Sequence, residues 1–256
     1  MTKLNLLNKL IYKDKGMRLM RLIITAIIFF TSSVYAQTAP SIRTGRPGQS
    51  INPYTVGDKI LQLQTGYQLD ENQIDTSTIN NTTRYGLGEY FEVNLNFDLK
   101  SDNANNKGLD NTQVGVRKSF LSNANGWLTD FASQLRMRMK GHGDFEKSRH
   151  SFILTNAFAF KAIGDFSYGI NINFQTNGED TYIEKFFTLG LSYSLTDQLG
   201  IFFEPYLLKA RETSTLSVNT GASYTISKNL ACDFSFGQDV SDGDNRFLSF
   251  GFSIRR

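Results

Sequence analysis

Between Phe91 and Leu99 the chain alternates strictly. Phe91, Val93, Leu95, Phe97 and Leu99 are apolar, and Glu92, Asn94, Asn96 and Asp98 between them are polar. A period of two sorts these residues onto the two faces of a β-strand, and no helix would separate them. Comparable runs are Leu61/Leu63/Thr65/Tyr67/Leu69, Phe166/Tyr168/Ile170/Ile172/Phe174 and Phe187/Leu189/Leu191/Tyr193/Leu195, whose other faces carry Gln, Ser, Gly and Asn. Weaker runs cover 79–87, 114–120, 131–139, 152–160, 199–207, 216–226, 230–236 and 248–254. With the clear runs they predict an all-β chain of about a dozen amphipathic antiparallel strands.

The N-terminus says where such a chain is sent. Its one long apolar run, Leu22 to Phe30, follows Lys9, Lys13, Lys15, Arg18 and Arg21 and precedes small residues ending Val34-Tyr35-Ala36. That pattern is a secretory signal peptide, residues 1–36, with the cut between Ala36 and Gln37. Either Met1 or Met17 serves as the start. The run is about half the length of a spanning helix, and no other segment approaches one. Removing residues 1–36 takes six Lys/Arg and one Asp from totals of 27 and 24, which leaves 21 and 23 and a mature charge near −2. The basic excess therefore belongs to the targeting segment and implies no nucleic-acid partner. A single cysteine, Cys232, excludes an intramolecular disulfide framework, and His142 and His150 are the only imidazoles.

Two folds accept alternating strands: a soluble sandwich and a transmembrane up-and-down β-barrel. Polar links at 70–78, 100–111, 140–150, 176–185, 208–214 and 238–246 alternate with tight turns near Gly88, 121–126, Gly164, Asp197 and Lys228. Long loops at one end and short turns at the other favour the barrel, as do aromatic residues near strand ends. An even strand number also returns both termini to the periplasm. The expected organisation is a signal peptide at 1–36, an extended lead-in at 37–57 holding three of the four prolines, and a barrel at 58–256. The lead-in is either a periplasmic tail or a plug folded into the lumen.

If the apolar faces meet lipid, the lumen is lined by Arg84, Glu92, Asn94, Asn96, Asp98, Arg117, Asp130, Gln134, Arg136, Arg138, Lys161, Glu204, Tyr206, Asp233 and Arg255, with Lys140 toward the outer mouth. Arg84 and Glu92 are equidistant from Gly88, and a symmetric hairpin sets them opposite each other. The same arithmetic sets Arg117 opposite Asp130. Arg136, Arg138 and Lys140 follow one another on one face with Asp98 as the nearby acid. They form either an anion-attracting stripe or one neutralised by loop acids such as Asp144 and Glu146. The loop histidines fit no HExxH pattern, GxSxG is absent, and the Asp/Asn-rich loops lack EF-hand spacing. No catalytic residue, metal site or cofactor is expected, and the chain does not read as an enzyme.

The opening Arg46-Pro47-Gly48-Gln49-Ser50, then Pro53-Tyr54-Thr55-Val56-Gly57 and Leu61-Gln62-Leu63-Gln64-Thr65-Gly66-Tyr67, resembles that of the outer-membrane transporter family known as the MetA-pathway of phenol degradation. Arg84-Tyr85-Gly86-Leu87, Gly115-Val116-Arg117, Glu204, Asn229-Leu230-Ala231-Cys232-Asp233 and Gly251-Phe252-Ser253 continue the resemblance in order. The chain departs from the pattern of such barrels by ending Ile254-Arg255-Arg256 rather than on an aromatic residue. The resemblance implies a porin-like passive channel or transporter in a Gram-negative outer membrane, for small hydrophobic or aromatic solutes, to which the basic stripe adds anionic ones. Its partners would be membrane lipid, the solute and the barrel-assembly machinery. The competing classes are a lipid-modifying barrel enzyme and a structural or adhesive barrel without transport.

Overall fold

The computed structural model describes residues 41, 42, 44–46, 48–71, 75–241 and 245–256. The chain divides into two units, 1–35 and 36–256, and every described residue belongs to the second. The signal-peptide reading and its cleavage site, with Arg43 and Pro47 of the lead-in, lie outside the described residues.

Among the described residues there is no helix. The strands are β1 (Leu61–Glu71), β2 (Thr76–Gly86), β3 (Phe91–Asp102), β4 (Lys107–Leu121), β5 (Leu128–Arg138), a two-residue β6 (His142–Gly143), β7 (Ser151–Phe160), β8 (Phe166–Gln175), β9 (Glu184–Ser194), β10 (Leu199–Lys209), β11 (Ser214–Ser227), β12 (Leu230–Asp239) and β13 (Arg246–Arg255). All pair antiparallel in sequence order. β1 pairs with β13 and β3 with β4, so twelve long strands close on themselves, and β6 adds a short pairing to β4 at Gly108 and Leu109. Closure removes the exposed edges an open sheet would present.

Burial follows the sequence alternation, with the sense inverted relative to a soluble protein. Gln62, Gln64, Glu92, Asn94, Gln134, Asn219 and Ser253 are buried, while Leu61, Leu63, Leu95, Leu135, Phe250 and Phe252 are exposed. Polar side chains face inward and large apolar ones outward, as a transmembrane barrel requires. At the end carrying Leu61 and Arg255, here called the terminal end, rings stack on the outer wall: Trp127 on Phe160 at 5.0 Å and Phe131 on Phe158 at 4.9 Å.

The loops differ from the sequence expectation. β3 and β4 run on through most of 100–111 and leave only 103–106 between them, whereas the expected tight turn at 121–126 is a six-residue connection, 122–127. Ladder bonding continues beyond the apolar belt. There both faces of a strand meet water, so the sequence loses its period-two contrast although the backbone stays extended. Bulges add further shifts. In β4, Asn111 sits at φ 51° where the pairing with β3 slips between Asn96 and Asp98, a left-handed conformation that Asn tolerates. The β9–β10 ladder passes from Phe203↔Leu191 to Tyr206↔Thr188 and skips Pro205, which has no N–H to donate.

The described residues between 41 and 57 form no strand. They run inside the barrel, entering where Ile42 N donates to Lys228 O (2.9 Å) and leaving beside Gly86. There Gly86 is obligatory, because a Cβ would overlap the Gly57 carbonyl.

Candidate functional site

The lead-in is held by side chains from most of the wall. The Arg46 guanidinium donates to Asn80 Oδ1 from β2 and, at 2.8 Å, to Ser249 Oγ from β13, and its Nε lies 3.5 Å from Asp233 Oδ1 of β12. It fits because Gly66 and Gly251 are partners on adjacent strands. A Cβ on Gly66 would land on the guanidinium, and one on Gly251 would meet Arg46 Nε and the Thr65 carbonyl. Farther along, Glu204 of β10 accepts from Gln49 N (2.6 Å), Ser50 N (2.7 Å) and Ser50 Oγ. Ile51 N donates to Asn171 Oδ1 at 2.6 Å, and the Asn171 amide returns a bond to Ile51 O at 3.1 Å. A chain crossing a lumen without secondary structure must have its backbone groups satisfied by side chains, and these residues supply that need.

Where the lead-in descends to β1 it passes a charged cluster. Arg84 donates twice to Glu92, from Nε at 2.9 Å and from Nη2 at 2.8 Å, and Glu92 also accepts from Val56 N at 3.0 Å. The Arg84–Glu92 contact follows the sequence expectation, with a different register. Gly86 stands opposite Glu92 and Arg84 opposite Asn94, so the pair meets diagonally across the side-chain-free position of Gly86. The Arg117–Asp130 pair does not form. Arg117 lies opposite Gln134, four residues from the expected partner, because the bulge at Ser119/Leu121 and the connection after β4 move the centre of this hairpin toward β5. Arg117 binds Gln134 Oε1 (2.7 and 3.1 Å) and the carbonyls of Asn52 (3.1 Å) and Tyr54 (2.9 Å), with Glu92 3.6 Å away. Asp130 instead accepts from Tyr54 Oη (3.1 Å) and Asn123 N (2.9 Å).

The expected basic stripe is partly neutralised. Lys140 lies beyond β5 and pairs with Glu146 at 3.1 Å, both ends half-exposed. Arg138 sits in the field of Asp110, Glu184 and Asp98. Asp98 in turn accepts from Asn111 Nδ2 at 2.9 Å. Arg136 donates from Nη2 to Thr155 Oγ1 at 3.2 Å, and the charged groups acting on it are Arg138 and Arg117. Asp144 does not join the stripe; it accepts from Lys107 N at 2.9 Å. Tyr206 faces inward against Phe186, with ring centroids 5.6 Å apart, and lines a small cavity with Asp70 and Asp239. His142 and His150 are exposed, and no cluster of metal ligands occurs among the described residues.

Two cavities flank the lead-in. One, of about 750 Å³, reaches from Ile42 and Arg46 to Asn125, Lys161 and Thr225 at the terminal end. The other, of about 520 Å³, extends from the lead-in past Arg117, Gln113 and Arg136 to Asp70 and Lys100 toward the distal end. Gly45, Arg46, Gly48 and Ile51 border both, so this stretch is the wall between them. The sequence reading omitted Arg46, Thr155 and Asn171 from the lumen set. Arg46 was findable: inward glycines in the first and last strands, which a closed barrel must pair, mark a notch for a bulky side chain.

Residues 44–255 match the family model described as "Putative MetA-pathway of phenol degradation". No curated protein matches the chain. Among solved structures, an outer-membrane channel from Pseudomonas putida F1 is similar with a TM-score of 0.61 at 11% identity, covering 83% of this chain and 100% of that one. The NanC porin reaches 0.56 at 10% identity, with 76% of this chain and 98% of that one covered. The KdgM porin in complex with disordered oligogalacturonate reaches 0.53 at 12%, with 75% and 98% covered. At such identities the likeness is one of fold, that of a porin-like outer-membrane barrel.

Proposed function

Because the chain belongs to the MetA-pathway of phenol degradation family, we propose that it is a passive channel for a small solute in a bacterial outer membrane. Export is directed by residues 1–36, with cleavage after Ala36. The observation that carries this reading is the polar interior: two cavities, of about 520 and 750 Å³, meet at the lead-in. A wall of Gln, Asn, Ser and Thr side chains offers donors and acceptors to water and solute without committing the interior to one rigid packing. The lead-in is the constriction, and solutes pass around it or as it shifts. Among the described residues Arg84 and Arg117 share one carboxylate, Glu92, so this cluster at the floor of the distal cavity holds more cations than acids. That excess favours solutes with a negative group. The similar KdgM porin is known with oligogalacturonate, which is a polyanion, and cavities of this size suit smaller anions here.

The test is planar-bilayer recording on the purified mature protein. Discrete conductance steps that scale with protein added are expected. A membrane that stays silent while the protein is folded and inserted would remove the channel reading.

A further inference from the structure

Each cation lining the distal cavity except one has an acid near it among the described residues. Arg84 and Arg117 share Glu92, Arg46 has Asp233, and Lys100 acts on Asp98. Arg136 makes no ion pair among the described residues; the charged groups acting on it are other cations, Arg138 and Arg117. It is nevertheless held in place. Its stem crosses Gly115, where an added Cβ would collide with Arg136 Cγ and with Asn94 Oδ1. Its Nη2 donates to Thr155 Oγ1 at 3.2 Å, Thr155 donates to Asn173 Oδ1 at 2.5 Å, and the Asn173 amide donates to Phe186 O at 3.0 Å. A chain of bonds reaching β9 thus orients the guanidinium and uses only one of its N–H groups. Arg136 Nε has no partner, and neither polar atom of the adjoining Asn94 amide has one.

An oriented guanidinium without an acid, beside an uncommitted amide and above a floor already in positive excess, calls for one negative charge. A carboxylate supplies it in the right shape, since its two oxygens match the planar fork of arginine. The cavity, at about 520 Å³, lies in the range of small-molecule sites. We infer that Arg136, with Asn94 beside it, is a binding subsite for the carboxylate of a small organic anion in the distal cavity. The inference deepens the channel reading and rests on it for the route by which the solute arrives.

Calorimetric titration of the detergent-solubilised full protein with sodium benzoate, and with benzamide as its neutral isostere, tests the subsite. Benzoate binds and benzamide does not. Arg136→Gln weakens benzoate by at least about tenfold, the scale of a lost charge-assisted hydrogen bond, whereas Lys140→Gln, which removes an equal charge nearer the mouth, weakens it far less. Heat-modifiable gel mobility checks that each variant is folded. If Arg136→Gln does not fold, Arg136→Lys serves, which keeps the charge, loses the fork and binds with intermediate strength. Equal binding of benzoate and benzamide, no binding of benzoate, or equal losses in the Arg136 and Lys140 variants would each overturn the subsite. The channel reading is judged separately by conductance. Conductance without benzoate binding removes the subsite alone, and benzoate binding without conductance removes the channel alone.

Discussion

Glu92 ties the arginines of two neighbouring strands to the lead-in. It is fully buried, holds Arg84 through two hydrogen bonds, lies 3.6 Å from Arg117 and accepts the Val56 N–H of the lead-in. Replacing it with Gln keeps the shape but removes the carboxylate that two buried guanidiniums share. Loss of one partner from a buried pair costs about 3–5 kcal/mol. Glu92→Gln is therefore expected to lower the urea midpoint of folding in lipid vesicles by a corresponding amount, while Glu89→Gln in the adjacent turn has little effect. Equal midpoints would mean that water in the lumen already screens the cluster. The Arg84–Glu92 contact was legible from the sequence because one short turn links the strands, and a register error of two residues preserves the face. The Arg117–Asp130 expectation failed because the β4–β5 pairing carries a bulge at Ser119/Leu121, whose inserted residue no alternation pattern reveals.

At the scale of elements, strands and lead-in were not equally legible. A strand in a barrel declares itself because lipid selects one face and the lumen the other. The lead-in has no such contrast, and its path is set by groups distant in sequence: Arg46 by β1, β2, β12 and β13, Ser50 by β10, Ile51 by β8. Nothing local in Gln49-Ser50-Ile51 announces that Glu204 will gather two of its amides. This division of labour makes the lead-in separable from the wall. The three atoms nearest a Cβ at Gly66 all belong to the Arg46 guanidinium, whereas at Gly251 the Thr65 backbone is among them. Gly66→Ala is thus expected to expel Arg46 from its notch and loosen the lead-in without unfolding the barrel. Single-channel recording should show a larger and noisier open state than wild type, with unchanged heat-modifiable mobility. An unchanged conductance would mean that Arg46 does not restrain the constriction.

For the whole molecule the question is which ions the summed charges admit. The interior carries acids and bases in comparable number, so selectivity depends on which charges remain uncompensated along the path. The distal mouth is close to balanced, because Lys140 has Glu146 and Arg138 sits among Asp98, Asp110 and Glu184. Below it lie Arg136 without an acid and the shared Glu92 cluster with an excess cation. Cations fixed in a wall of low dielectric raise the local concentration of anions, and mobile salt screens the effect. Under a potassium chloride gradient the reversal potential should therefore indicate anion preference at low salt and approach zero as ionic strength rises. Arg136→Glu should shift it toward cations by most of the change seen in an Arg136→Glu/Arg138→Glu double variant, with Arg138→Glu contributing the smaller part because acids already surround that side chain. The sequence alone ranked Arg136, Arg138 and Lys140 together, since a two-residue spacing places all three on one face. It could not rank them by partner, because the neutralising acids come from β3, β4, β9 and the 139–150 connection. If the double variant leaves the reversal potential unchanged, ions do not pass this wall, and the permeating path lies on the opposite side of the lumen, beside Tyr206, Asp70 and Asp239.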